Sequence, residues 1–192
     1  MKFVIGIDEA GRGALAGPVS VGVALIPTEL TWDDFPNLAD SKKLSQKRRE
    51  EWLQKIEEDD RINYAVALVD ALEIDDGGIV PACTKAAHMA LDQLSINKED
   101  VKVLLDAGLK IDDMWQQESF VKGDEIIPVI ALASIVAKVS RDRFMENMAN
   151  SYPEYAFEVH KGYGTKKHRE SIALNGLSDV HRKTFCTRLI VM

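Results

Sequence analysis

At 192 residues, 46% of them apolar, the chain is long enough for one domain with its own hydrophobic core, and no Pro, Gly or Ser tract argues for disorder or a linker. A net charge of −7 by itself argues against a nucleic-acid partner, yet residues 159–192 carry seven Lys/Arg against two acids, so an acidic body bears a basic C-terminal flank. The opening apolar run is too short for a secretory leader or a membrane span, which sets the expectation of a cytoplasmic protein with no membrane partner, and Cys83 and Cys186 lack metal-ligand spacing and read as reduced packing residues.

Residues 3–7 are continuously apolar and predict a strand buried on both faces, placed at the centre of a sheet. A small-residue turn over 11–17 leads to a second β-branched run at 19–26, so the two strands are expected to form a hairpin. Ser45 precedes a charged amphipathic helix over 46–58 with Trp52, Leu53 and Ile56 as its inner side. A third strand is predicted at 62–69, a helix over 80–94 near Pro81, and a fourth strand at 101–105 that runs into Asp106. Leu132, Ile135, Val136 and Val139 predict a helix over 132–148 with one buried stripe, stopped by Pro153. Two short helices, 166–174 and 178–188, fill the basic flank. The sum is an α/β fold: a mixed central β-sheet flanked by helices, with a short helical C-terminal flank.

Four carboxylates stand out by position: Asp8 and Glu9 closing the first strand, Asp106 closing the fourth, and Asp124 after Lys122-Gly123. An acid abutting a buried strand is costly unless something pairs it, and adjacent strands can bring the ends of the first and fourth together. Mg2+ or Mn2+, hard cations that take carboxylate and water oxygens, are the ions such a cluster suits, and a pair of them can serve phosphoryl displacement. Taken singly, each acid reads as loop solvation or a helix cap. Asp8 and Glu9 can reach one site only where the chain leaves its strand, which Gly11 permits.

The segment Ile7-Asp8-Glu9-Ala10-Gly11-Arg12-Gly13, with Gly17-Pro18 behind it, resembles the opening of the ribonuclease HII family. Further motifs follow in the family's order: Asp40-Ser41-Lys42-Lys43-Leu44-Ser45, Leu105-Asp106, Lys122-Gly123-Asp124, the stretch from Ala133-Ser134-Ile135 to Arg141-Asp142, His160-Lys161-Gly162-Tyr163-Gly164-Thr165, and His181-Arg182-Lys183-Thr184-Phe185. The resemblance implies a ribonuclease H-like fold and an endonuclease that acts on RNA/DNA hybrids and on DNA duplexes containing ribonucleotides. It implies cleavage 5′ of the ribonucleotide, leaving a 3′-hydroxyl and a 5′-phosphate. Asp8, Glu9, Asp106 and Asp124 match the family's metal-binding carboxylates, and Gly11, Arg12, Gly13 and Tyr163 match the elements that read the 2′-hydroxyl and the RNA/DNA junction. On this reading residues 1–150 are the catalytic core and 151–192 a basic segment packed on it, within one compact, monomeric domain.

The chain has Asp106-Ala107-Gly108 where bacterial relatives commonly have Asp-Gly-Asn. Asp142 competes with Asp124 as fourth acid, or else pairs with the arginines beside it. Lys42, Lys43, Lys161, Lys166 and Lys167 are candidate phosphate contacts, with Lys161 beside Tyr163 foremost; each read singly is a solubility residue. The histidines sit in no nucleophile motif and read as core or surface residues. Two rival functions are a dinucleotide-dependent oxidoreductase, suggested by Gly11-x-Gly13, and a non-catalytic duplex-binding module. The paired acids before the turn and the strand after it argue against the first, and the retained acids against the second.

Overall fold

The computed structural model describes residues 2–36, 38, 44–94 and 96–189. Strand β1 (Phe3–Ala10) pairs antiparallel with β2 (Val19–Pro27), and β2 antiparallel with β3 (Asn63–Val69). On its other side β1 runs parallel to β4 (Val101–Asp106), itself parallel to β5 (Gln117–Phe120). The order β3-β2-β1-β4-β5 puts β1 in the middle, as its apolar run predicts. The segment after the glycine turn is the antiparallel strand β2, where a dinucleotide-binding turn needs a helix, and the oxidoreductase reading falls with it.

Side chains alternate across a strand, and here the alternation sorts two cores. Ile5 and Ile7 of β1, Val19, Val21 and Val23 of β2, and Val101, Val103 and Leu105 of β4 pack on α3 (Ile79–Leu91), which follows the short helix α2 (Ala71–Gly77). The opposite face, with Ala24, Ile26 and Leu104, carries α5 (Pro128–Ser151) and, outside it, α1 (Gln46–Glu58). Helix α1 has the expected bounds; its cap Ser45 accepts the Arg48 N–H.

Helix α5 departs from the single buried stripe. It starts at Pro128, and every residue from Val129 to Ala137 is buried, because this half is sandwiched between the sheet and Trp52, Leu53 and Ile56 of α1. Two glycines let it lie directly on the strands: a Cβ on Gly6 would stand 2.2 Å from the Val129 carbonyl oxygen, and one on Gly22 2.3 Å from that of Ala133. The far half of α5 packs through Met145 against Tyr155, Phe157 and Ile172. These come from the chain's last part, which holds α6 (Phe157–His160), α7 (Lys166–Asn175) and α8 (Lys183–Cys186). Cys83 and Cys186 are buried free thiols, and burial pushes both pKa values up to about 11. Among the described residues no helix is long and apolar enough to cross a membrane.

Candidate active site

The β1–β4 ladder ends at Ile7 opposite Leu105, while β1 continues beside β2 to Ala10. Asp8 and Asp106 are therefore neighbours just past the last rung, at the carboxyl ends of parallel strands. By alternation both belong to the α5 face, and both are buried, 1% and 9% exposed. Glu9 belongs to the α3 face. A cavity of about 350 Å³ wraps this end of the sheet, so that Asp8, Glu9 and Asp106 all line it, with Gly11, Arg12 and Gly13 from the turn, Ser134 and Lys138 from α5, Arg49 from α1, and Tyr163. The chain thus has not left its strand at Asp8 and Glu9; it is β4 that stops short.

Asp8 Oδ1 accepts the Glu9 N–H at 2.8 Å, and Glu9 Oε1 pairs with Arg12 at 3.3 Å. Asp106 Oδ1 accepts the Gly123 N–H at 2.7 Å, from the first residue of α4 (Gly123–Ile126). That bond sets Asp124 next to the site in sequence, yet Asp124 is fully buried and is not among the residues lining the cavity. The donor set is hard oxygen throughout, which suits Mg2+ or Mn2+. Among the described residues no three Asp, Glu, His or Cys side chains already converge as a closed cage. Asp8, Glu9 and Asp106 all border the one cavity.

The glycine turn is held from beneath by two buried arginines. Arg141 donates to the carbonyls of Pro18 at 2.8 Å, Lys161 at 2.8 Å and Ala16 at 3.1 Å, and Arg182 to those of Gly17 and Arg12, both at 3.0 Å. Burial lowers both guanidinium pKa values. Gly11, at φ 89°, lies so close over Arg141 that a Cβ would sit 1.9 Å from its Nε, whereas a Cβ on Gly13 would meet nothing within 4 Å. Arg141 and Arg182 were legible only as members of basic motifs; no local pattern reveals a guanidinium that binds carbonyls more than a hundred residues away.

The cations are distributed differently from expectation. Lys161, foremost for phosphate, is buried in a left-handed conformation with φ 52°; its Nζ pairs with Glu146 at 2.9 Å and donates to the Glu158 carbonyl. It lies outside the cavity lining, with its charge taken up by protein partners. Arg182 is buried too, so the basic flank offers fewer free charges than its composition implies. Lys166 and Lys167 are exposed, with Lys166 3.7 Å from Glu170. Lys42 and Lys43 lie outside the described residues. Arg49, Ser134 and Lys138 were missed; the i,i+4 spacing of Ser134 and Lys138 was the available signal. Asp142 pairs with Lys138 at 2.6 Å and Arg49 at 3.6 Å, with neither neighbouring arginine. Tyr163 faces cations, Arg141 at 5.2 Å and Lys138 at 5.5 Å from its ring centre.

The loop bearing Tyr163 is tied to the tail by histidines. His168 Nδ1 lies 3.1 Å from the Tyr163 carbonyl and must carry the proton there, so His168 Nε2 accepts from His181 Nε2 at 3.0 Å. His181 Nδ1 in turn accepts the Ser178 N–H at 3.0 Å. Every role is filled by neutral rings, and burial pulls both pKa values down from 6.5 to about 4. The unfolded chain then takes up protons that the fold refuses, so this contribution to stability is whole above pH 6.5 and is lost as pH falls towards 4. Calorimetry is expected to show Tm falling across that window, with a shallower slope for His168→Gln/His181→Gln; equal slopes would mean that the pair does not titrate this way.

The ribonuclease HII family model matches residues 5–189. Ribonuclease HII of Fusobacterium nucleatum is 45% identical over 193 residues, 98% of this chain and 88% of that protein. Ribonuclease HII of Coxiella burnetii is 44% identical over 183 residues, covering 95% and 88%. The crystal structure of the ribonuclease H2 from Pyrococcus horikoshii OT3 superposes with a TM-score of 0.76 at 28% identity, over 97% of this chain and 96% of that one.

Proposed function

Because this chain belongs to the ribonuclease HII family and is thereby a nuclease, we propose that it hydrolyses the RNA strand of RNA/DNA hybrids and single ribonucleotides embedded in duplex DNA. The cut falls 5′ of the ribonucleotide and leaves a 3′-hydroxyl and a 5′-phosphate. The observation that carries the reading is the pairing of buried Asp8 and Asp106 on one face at the strand ends, in a cavity that also holds cations and an aromatic ring.

Asp8, Glu9, Asp106 and Asp124 would hold Mg2+ or Mn2+. Bound there, a pair of such ions would supply the activation of a water and the stabilisation of charge on the leaving oxygen. The protein's own part is positioning. The Gly123 N–H fixes the orientation of Asp106, and Arg12 restrains Glu9. The turn at Gly11, Arg12 and Gly13 is rigid beneath and open above Gly13, so its backbone can approach a 2′-hydroxyl, the group that separates RNA from DNA. Tyr163, which lines the cavity, would offer a flat face to the sugar beyond the junction. The substrate is a duplex.

One gel tests this: a DNA duplex with one ribonucleotide, incubated with Mg2+, Mn2+ or chelator. Cleavage only with metal, at the bond 5′ of the ribonucleotide, is expected. Binding without metal-dependent cleavage would favour the non-catalytic duplex module.

A further inference from the structure

Asp142 is a buried anion, 3% exposed, for which the metal reading has no use. Its Oδ1 accepts from Lys138 Nζ at 2.6 Å, one turn back along α5, and its Oδ2 stands 3.6 Å from an Arg49 nitrogen on α1. Both cations line the cavity that Asp8 and Asp106 line, and Asp142 itself does not. Arg49 is further anchored on the Leu44 carbonyl.

We propose that Asp142 is a positioning residue, which holds Lys138 and Arg49 as a paired cationic seat for a backbone phosphate adjoining the scissile one. The inference rests on the nuclease reading of the cavity. A wall of carboxylates repels a polyanion, and a duplex approaching Asp8 and Asp106 needs cations beside them. Lysine and arginine lose rotamer freedom on gripping a phosphate, and a carboxylate that fixes both in advance removes most of that loss. The burial of Asp142 makes the arrangement mutual, because a buried charge without partners is strongly unfavourable.

A simple charge effect and a positioning effect differ in sign. Neutralising Asp142 makes the cavity more positive, so if the cations stayed in place substrate would bind more tightly. Positioning demands weaker binding. The test measures kcat and KM separately for the full chain on a short duplex with one ribonucleotide in Mg2+, using wild type, Asp142→Asn, Lys138→Met and the double variant. Asp142→Asn is expected to raise KM about tenfold, about 1.4 kcal/mol in binding terms, with kcat within about twofold. Lys138→Met is expected to cost much less in the Asp142→Asn background than in wild type. An unchanged or lowered KM, or additive effects, would overturn the proposal, as would loss of Tm with no change in KM. Should Asp142→Asn not fold, Asp142→Glu keeps the charge but displaces it by one methylene: a raised KM supports the seat, an unchanged one overturns it. Failure of wild type to cut would instead sink the nuclease reading, and the seat with it.

Discussion

Asp106→Asn is expected to lower kcat by more than about a thousandfold, some 4 kcal/mol of transition-state stabilisation, while hybrid affinity changes less than about threefold. Asparagine keeps an oxygen for the Gly123 N–H, so the local structure survives and only the charge is lost. Asp8 and Asp106 sit side by side past the last rung of their ladder, and removing one of two like charges relieves repulsion. Tm should therefore hold or rise as activity disappears. Activity and binding falling together, with a lower Tm, would make Asp106 a structural acid.

Arg141→Met is expected to lower stability strongly, the opposite of Asp106→Asn. It takes one donor from three carbonyls, Pro18, Lys161 and Ala16, which join the glycine turn to the loop bearing Tyr163. Each buried acceptor left without a partner costs about 1–3 kcal/mol. Part is offset because a guanidinium no longer has to be desolvated. A net loss of about 3 kcal/mol corresponds to a drop of roughly 6–12 °C in Tm for a domain of this size. Thermal melts of the two proteins at equal concentration decide it; a shift under about 2 °C would mean that the turn is held without Arg141, by Arg182 and the sheet.

Local pattern carried much of this structure. The apolar run ending in Asp8 announced a central strand, and Ser45 with Trp52, Leu53 and Ile56 announced α1, because capping and periodicity are short-range signals. Strand β5 was not legible: Gln117–Phe120 is a short, half-exposed edge strand without apolar alternation. The burial of α5 on all sides was hidden as well, since it depends on two glycines in other elements and on α1 covering its back. In the site, Asp8, Glu9, Asp106, Arg12 and Tyr163 came together as their motifs suggested. Asp124 is buried outside the cavity lining, and Lys161 lies outside it too, because a sequence shows a charge but not the left-handed backbone and the Glu146 partner that turn the lysine inward.

The central claim is that the strand-end acids share cations. Anomalous scattering from crystals grown with manganese tests it directly. An ion is expected between the carboxylates of Asp8 and Asp106, at coordination distance from both. Anomalous peaks only elsewhere, with Asp106 still bound to the Gly123 N–H and Asp8 turned to protein donors alone, would contradict the account.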